Sequence, residues 1–161
     1  MKMLWDIVNS LLVNYVLVIV AFAWFAAQVI KVFYYWIVDK EFDILHFFEA
    51  GGMPSAHSAT VSALTIAVGL VYGWDSPLFA ISVVLALIVM YDATGVRREA
   101  GRQALLLNKM VEEIYASDGD KIKKLKELIG HTPLEVIVGA TIGVVIAFVS
   151  YYIIHSVLFF V

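Results

Sequence analysis

The chain has 161 residues, 62% of them hydrophobic and 16% charged, with a mean hydropathy of +0.89. Soluble domains are about 45–50% apolar and about 25% charged, so this composition excludes an ordinary soluble enzyme and predicts one integral membrane domain covering 1–161. Cysteine is absent, which excludes disulfides, thiolate chemistry and cysteine-ligated metals, and the net charge of −3 is informative only through its distribution.

The expected fold is all-α, a bundle of about four transmembrane helices with one or two amphipathic helices. Each span approaches the ~20 residues that a hydrocarbon core requires. The first is 11–36. It is too long for a cleavable signal, and Phe22-Ala23-Trp24-Phe25 is a poor cleavage region. Lys31 lies near its inner end. Its ammonium either snorkels to the interface or meets a phosphate. An acidic segment, 39–50, follows and contains His46, read as an ordinary interfacial residue.

Gly51-Gly52-Met53-Pro54-Ser55-Ala56-His57 then opens directly into the second span, 55–72. A glycine pair and a helix start supply backbone N–H groups that suit a bound anion, and His57 beside them can donate a proton. Gly73-Trp74-Asp75-Ser76 is a tight turn, which makes the second span and the third, 77–92, an antiparallel hairpin. Asp92 ends the third span, where a carboxylate is costly unless paired or near water. Arg97 and Arg98 follow. They bind phosphate oxygens through paired hydrogen bonds or, alternatively, anchor to lipid headgroups together with Arg102.

Within the polar segment 97–130, residues 99–115 predict an amphipathic helix. Ala104, Leu105, Leu107, Asn108 and Val111 lie along one side. Ser117-Asp118-Gly119-Asp120 reads as a turn, and 121–129 as a short basic helix stopped by Gly130. The fourth span, 133–161, starts in Gly130-His131-Thr132-Pro133-Leu134-Glu135. Two readings of Glu135 stand. One is a capping box with Thr132, with Pro133 at the first helical position; the other is a carboxylate that orients the His131 ring. Gly139 and Gly143 form a Gly-x-x-x-Gly face suited to helix packing, and a homo-oligomer through that face is one option. His155, near the far end, reads as interfacial.

Eight of the eleven Lys and Arg residues fall between Arg97 and Lys126, and positive loops stay in the cytoplasm. With four spans, Lys31, Ser55, His57, Asp92, Arg97, Arg98, His131 and Glu135 then share the cytoplasmic face. That convergence points to a single site.

Three blocks, Gly51 to Ala59, Tyr91-Asp92-Ala93-x-Gly95-Val96-Arg97-Arg98, and Gly130 to Val136, resemble the signatures of the divergent bacterial and plastid branch of the type 2 phosphatidic acid phosphatase superfamily, which also includes vanadium haloperoxidases. Pro54-Ser55-Ala56-His57 looks like that superfamily's Pro-Ser-Gly-His block, and His131 with Glu135 like its His…Asp pair. The Ser-Arg pair expected before the histidine is absent, with Lys124 and Leu125 in its place, and Val38-Asp39 stands for Arg-Pro. The resemblance implies a lipid phosphate or pyrophosphate phosphatase of the bacterial inner membrane, working at the cytoplasmic face without metal or other cofactor. It implies His131 as nucleophile, Glu135 as its orienter and His57 as general acid. Gly51, Gly52, Ser55, Lys31, Arg97 and Arg98 would bind phosphate, with Asp92 and Arg102 supporting. The implied partner is a membrane lipid and not nucleic acid. The alternative is a non-catalytic protein that binds or moves lipid headgroups with a degenerate phosphatase site.

Overall fold

The computed structural model of the chain describes residues 14–40, 44–47, 51–115 and 130–159. Among them are five α-helices and no strand: α1 (Tyr15–Asp39), α2 (Ala56–Tyr72), α3 (Pro77–Thr94), α4 (Val96–Tyr115) and α5 (Pro133–Phe159), with a 3-10 turn at Ile44–Phe47. The expected turn at 117–120 and basic helix at 121–129 lie outside the described residues, as do the side chains of His46 and Arg97.

The first three helices start where the sequence offers a cap. Asn14 accepts from the Leu17 N–H at 3.2 Å, Ser55 from the Ser58 N–H at 3.3 Å, and Ser76 from the Phe79 N–H at 3.2 Å. Such oxygens satisfy N–H groups that have no carbonyl partner within their helix. The α2–α3 hairpin forms as expected. Gly73 ends α2 with a 3.0 Å bond to the Gly69 carbonyl, and Trp74 packs against Phe79 with ring centroids 5.2 Å apart. Helix α1 runs three residues past the expected end at 36, because nothing in 37–39 breaks it. Lys40 closes it in the left-handed conformation, with φ of 60°.

Helices α1, α3 and α5 each contain a stretch long and apolar enough to cross a bilayer. At 17 residues α2 spans about 26 Å and is the shortest of the four apolar helices. It is also the central one, in contact with α1, α3 and α5, whereas α3 and α5 meet each other only briefly. The core is built from small side chains: Ile19 and Ala23 of α1, Ala63 and Ala67 of α2, and Ala147 of α5 are all fully buried. Large apolar residues such as Ile81, Leu87, Ile88, Ile137 and Tyr152 are exposed instead. In water such a surface would drive association. In a bilayer it faces hydrocarbon, and helices pair through small residues and hydrogen bonds such as the one from the Thr65 hydroxyl to the Ser82 carbonyl at 3.1 Å.

Two contacts set the spacing of α2 and α5. A Cβ on Gly139 would collide with the Ser55 carbonyl, and one on Gly143 with the Ala59 carbonyl. Residues 139 and 143 of α5 therefore lie directly on residues 55 and 59 of α2, one helical turn matched to another. The Gly139/Gly143 face that the sequence offered as an oligomer surface is covered within the chain by α2.

The amphipathic helix begins at Val96, earlier than the expected 99. Its inward stripe also differs from the expected one. Gly101 and Asn108 are buried and Ala104 and Val111 half-buried, at helical spacing, while Leu105 and Leu107 are exposed. A turn of 100° per residue places 105 and 107 on either side of the stripe that 101, 104, 108 and 111 define.

Replacing Gly143 with Val forces a branched side chain into the Ala59 carbonyl. We expect a loss of about 1–3 kcal/mol of stability, as for other overpacked contacts. Unfolding of the purified protein in detergent measures it. Unchanged stability would mean that the two helices do not cross this closely.

Candidate functional site

The three sequence blocks meet at one end of the bundle through main-chain hydrogen bonds. The Ser55 N–H donates to the Glu135 carbonyl at 3.1 Å, and the His131 N–H donates to the Ala93 carbonyl at 3.1 Å. The start of α2, the end of α3 and the start of α5 are thereby tied together. His57, in the first turn of α2, faces His131, with ring centroids 6.2 Å apart and ring planes at 75°. The two rings meet edge to face, a favoured geometry for aromatic pairs. His131 is 5% exposed, whereas His57 is exposed. The outer histidine thus covers the inner one.

Helix α1 forms the third wall. Ala27 is fully buried against Ala56 and Ala59. Two turns further on, the Tyr35 hydroxyl occupies the place that a Cβ of Gly52 would take. Gly52 has a φ of 78°, so glycine is required there both for the backbone conformation and for the space. Lys31 lies midway between Ala27 and Tyr35 on the same face and is 1% exposed. It does not snorkel, and it does not end its helix. Eight residues of α1 follow it, about 12 Å of overhang. A lysine buried this deeply is tolerated only where anionic or carbonyl oxygens meet its ammonium group.

Two expected site groups serve as caps. The Ser55 hydroxyl is fully buried, accepts from the Ser58 N–H and also accepts from the Ser58 hydroxyl at 3.0 Å. The Glu135 carboxylate accepts from the Thr132 N–H at 3.2 Å, and the Glu135 N–H donates to the Thr132 hydroxyl at 3.4 Å. This reciprocal pair is a capping box. Of the two readings of Glu135, the cap is the one formed, and the carboxylate turns to the helix start instead of the His131 ring. Glu135 still bears on the site through its main chain, since its carbonyl holds Ser55. Arg102 pairs with Glu99 at 2.7 Å on the exposed face of α4. Arg98 and Asp92 are half-buried near the end of α3. His155 stacks on Tyr151 at 5.7 Å near the opposite end of α5. Among the described residues, no three His, Asp or Glu side chains gather as a metal site.

Two residues beyond the sequence expectation belong to this end of the bundle. Tyr35 abuts Gly52, and Gln28 is 7% exposed with an Oε1 that accepts no hydrogen bond. The signal for both was present. Gln28, Lys31 and Tyr35 are spaced three and four apart, so one stripe of an otherwise apolar span is polar, and polar groups in a span are costly without a task.

Fold and site together define the class: an all-α membrane bundle with two facing histidines where three sequence blocks join. The chain belongs to the family described as the Divergent PAP2 family, which it matches over residues 12–146. It is also 44% identical, over 154 residues, to the uncharacterized membrane protein YuiD of Bacillus subtilis (strain 168), an alignment that takes in 89% of this chain and 98% of that relative. No solved structure matches the chain.

The capping role of Glu135 makes a clear expectation for stability. Thr132→Ala removes the acceptor for the Glu135 N–H and should cost about 0.5–2 kcal/mol. Glu135→Gln keeps an acceptor for the Thr132 N–H and should cost less. Thermal unfolding of the two variants in detergent compares them, and a larger loss for Glu135→Gln would show that the negative charge itself is required.

Proposed function

We propose that the protein hydrolyses a lipid phosphate or pyrophosphate through a phosphohistidine. The observation that carries this reading is the 6.2 Å separation of the His57 and His131 rings at the junction of the three blocks. In-line displacement places a nucleophile about 3–3.5 Å from phosphorus and an acid about 2.6–3.2 Å from the leaving oxygen on the opposite side. Two imidazoles at this spacing suit that geometry once the exposed His57 swings outward to admit the phosphate between them.

The steps balance with water as the sole co-reactant. An unprotonated His131 nitrogen attacks phosphorus, the bond to the leaving oxygen breaks, and His57 gives that oxygen a proton. His57, now neutral, takes a proton from water. The resulting hydroxide attacks the phosphohistidine, which frees phosphate and restores His131. The buried Lys31 ammonium, Arg97, Arg98 and the Gly51–Gly52 backbone stabilise the charge on the phosphoryl oxygens. Ser55 and Glu135 act here as positioning residues, through the caps and the Ser55–Glu135 main-chain bond. The clustering of basic residues after Arg97 supports a cytoplasmic position for this end of the bundle, and with it a site in the bacterial inner membrane open to that leaflet.

A second reading, a protein that holds a lipid phosphate without cleaving it, draws support from the capping duties of Ser55 and Glu135, which engage one expected phosphate ligand and the expected orienter of His131 elsewhere. Phosphate release from lipid phosphates by the purified protein separates the readings. We expect His57→Ala to lower release by about 10²–10⁴-fold. His131→Ala should abolish both release and the acid-labile phosphoenzyme. Activity that survives His131→Ala sinks the mechanism, and vanadate binding without any release supports the second reading.

A further inference from the structure

Between α3 and α5 lies an apolar groove of about 790 Å³, open to the side. Its volume lies within the range of about 300–1,000 Å³ that small-ligand sites occupy. The groove exists because α3 and α5 each pack on α2 and barely touch each other.

Its lining is graded along the bundle axis. Asp92 and Thr94, with the apolar Val96 beside them, line the end nearest the histidines, and the deeper part, including Leu87, Ile88, Val136 and Ile137, is apolar. From Thr94 to Leu87 the wall descends seven residues, about 10 Å, which is the outer third of a hydrocarbon core roughly 30 Å thick. The polar end adjoins the His131 turn. Pro133, two residues after His131, is part of the lining, and the Ala93 carbonyl beside Asp92 and Thr94 accepts from the His131 N–H.

We propose that this groove holds a hydrocarbon chain of the lipid whose phosphate lies at His57 and His131. The proposal rests on the phosphate-site reading above and adds the place of the lipid's chain: it enters sideways from the bilayer and lies along α3 and α5. Polarity runs in the sense that such a molecule requires, with the headgroup at the histidine end and methylenes against leucine, isoleucine and valine. A second protein helix is a poor occupant. Helices approach closely in membranes through glycine, alanine, serine and threonine, and of these Thr94 alone lines the groove, at its polar end. A flexible chain fits between branched side chains that a rigid helix would meet as ridges.

The test uses the full-length protein in phosphatidylcholine nanodiscs containing a trace of phosphatidic acid with a diazirine on one acyl chain. After illumination, adducts are mapped by mass spectrometry. Adducts should concentrate on 87–90 and 136–137. Ile137→Trp, which fills the groove, should lower them about tenfold. The same change at the exposed Ile153, elsewhere on α5, should leave them unaltered. Labelling spread evenly over the bilayer-facing residues, or insensitive to Ile137→Trp, overturns the proposal. So does efficient disulfide pairing of two copies through Ile88→Cys, which would put a second chain in the groove. Phosphate release is measured on the same samples. Groove labelling without release leaves the lipid site standing and removes the phosphatase reading; release without groove labelling does the reverse.

Discussion

The close crossing of α5 over α2 is the constraint on which the rest depends. Gly139 and Gly143 present bare backbone to the Ser55 and Ala59 carbonyls. With any side chain there, α5 would stand further from α2. The Ser55–Glu135 main-chain bond, 3.1 Å long, could not form across a wider gap. That bond registers the start of one helix against the start of the other. Since His57 lies two residues after Ser55 and His131 four before Glu135, the separation of the two rings follows from it. A membrane bundle has no water-driven collapse to hold such a register, so van der Waals contact between small residues and a few main-chain bonds must do so.

The same economy of small residues shapes both the site and the groove. α2 is lined with alanine and serine, and three helices gather on it closely. Their large apolar side chains turn outward to hydrocarbon. Where α3 and α5 diverge, a lateral opening remains beside the histidines. Most of the buried polar groups gather at one end: Lys31 and Gln28 on α1, Ser55 and Ser58 at the capped start of α2, and His131. Lys31 is the costliest of these. Its burial beneath about two turns of α1 shows that the 51–56 segment lies alongside that helix, below its end.

Much of the candidate site was legible in local sequence. Pro54-Ser55-Ala56-His57 and His131-Thr132-Pro133 read as helix starts because serine, threonine and proline have specific roles there, and both helices begin where expected. The same local chemistry argued for two fates of Glu135, and only the hydrogen bonds of Thr132 decided between them. Tyr35 stands in an aromatic run near the end of its span, and nothing local reveals that its hydroxyl rests where Gly52 lacks a side chain. The Gly139/Gly143 pair read as ordinary helix packing with an intermolecular face as the lesser option, since the motif states only that something approaches closely.

What the sequence determined by itself was the membrane class, the helical spans, their caps and the gathering of phosphate-binding residue types in three blocks. These follow from composition, from hydropathy and from interactions within four residues, all of which one dimension carries. What only the tertiary structure decided was which helix covers the glycine face, that Lys31 is buried instead of snorkelling, that His57 shields His131, and that α3 and α5 part to leave a groove. Each of these depends on distances between helices, which the crossing of α2 and α5 sets and which no local pattern encodes.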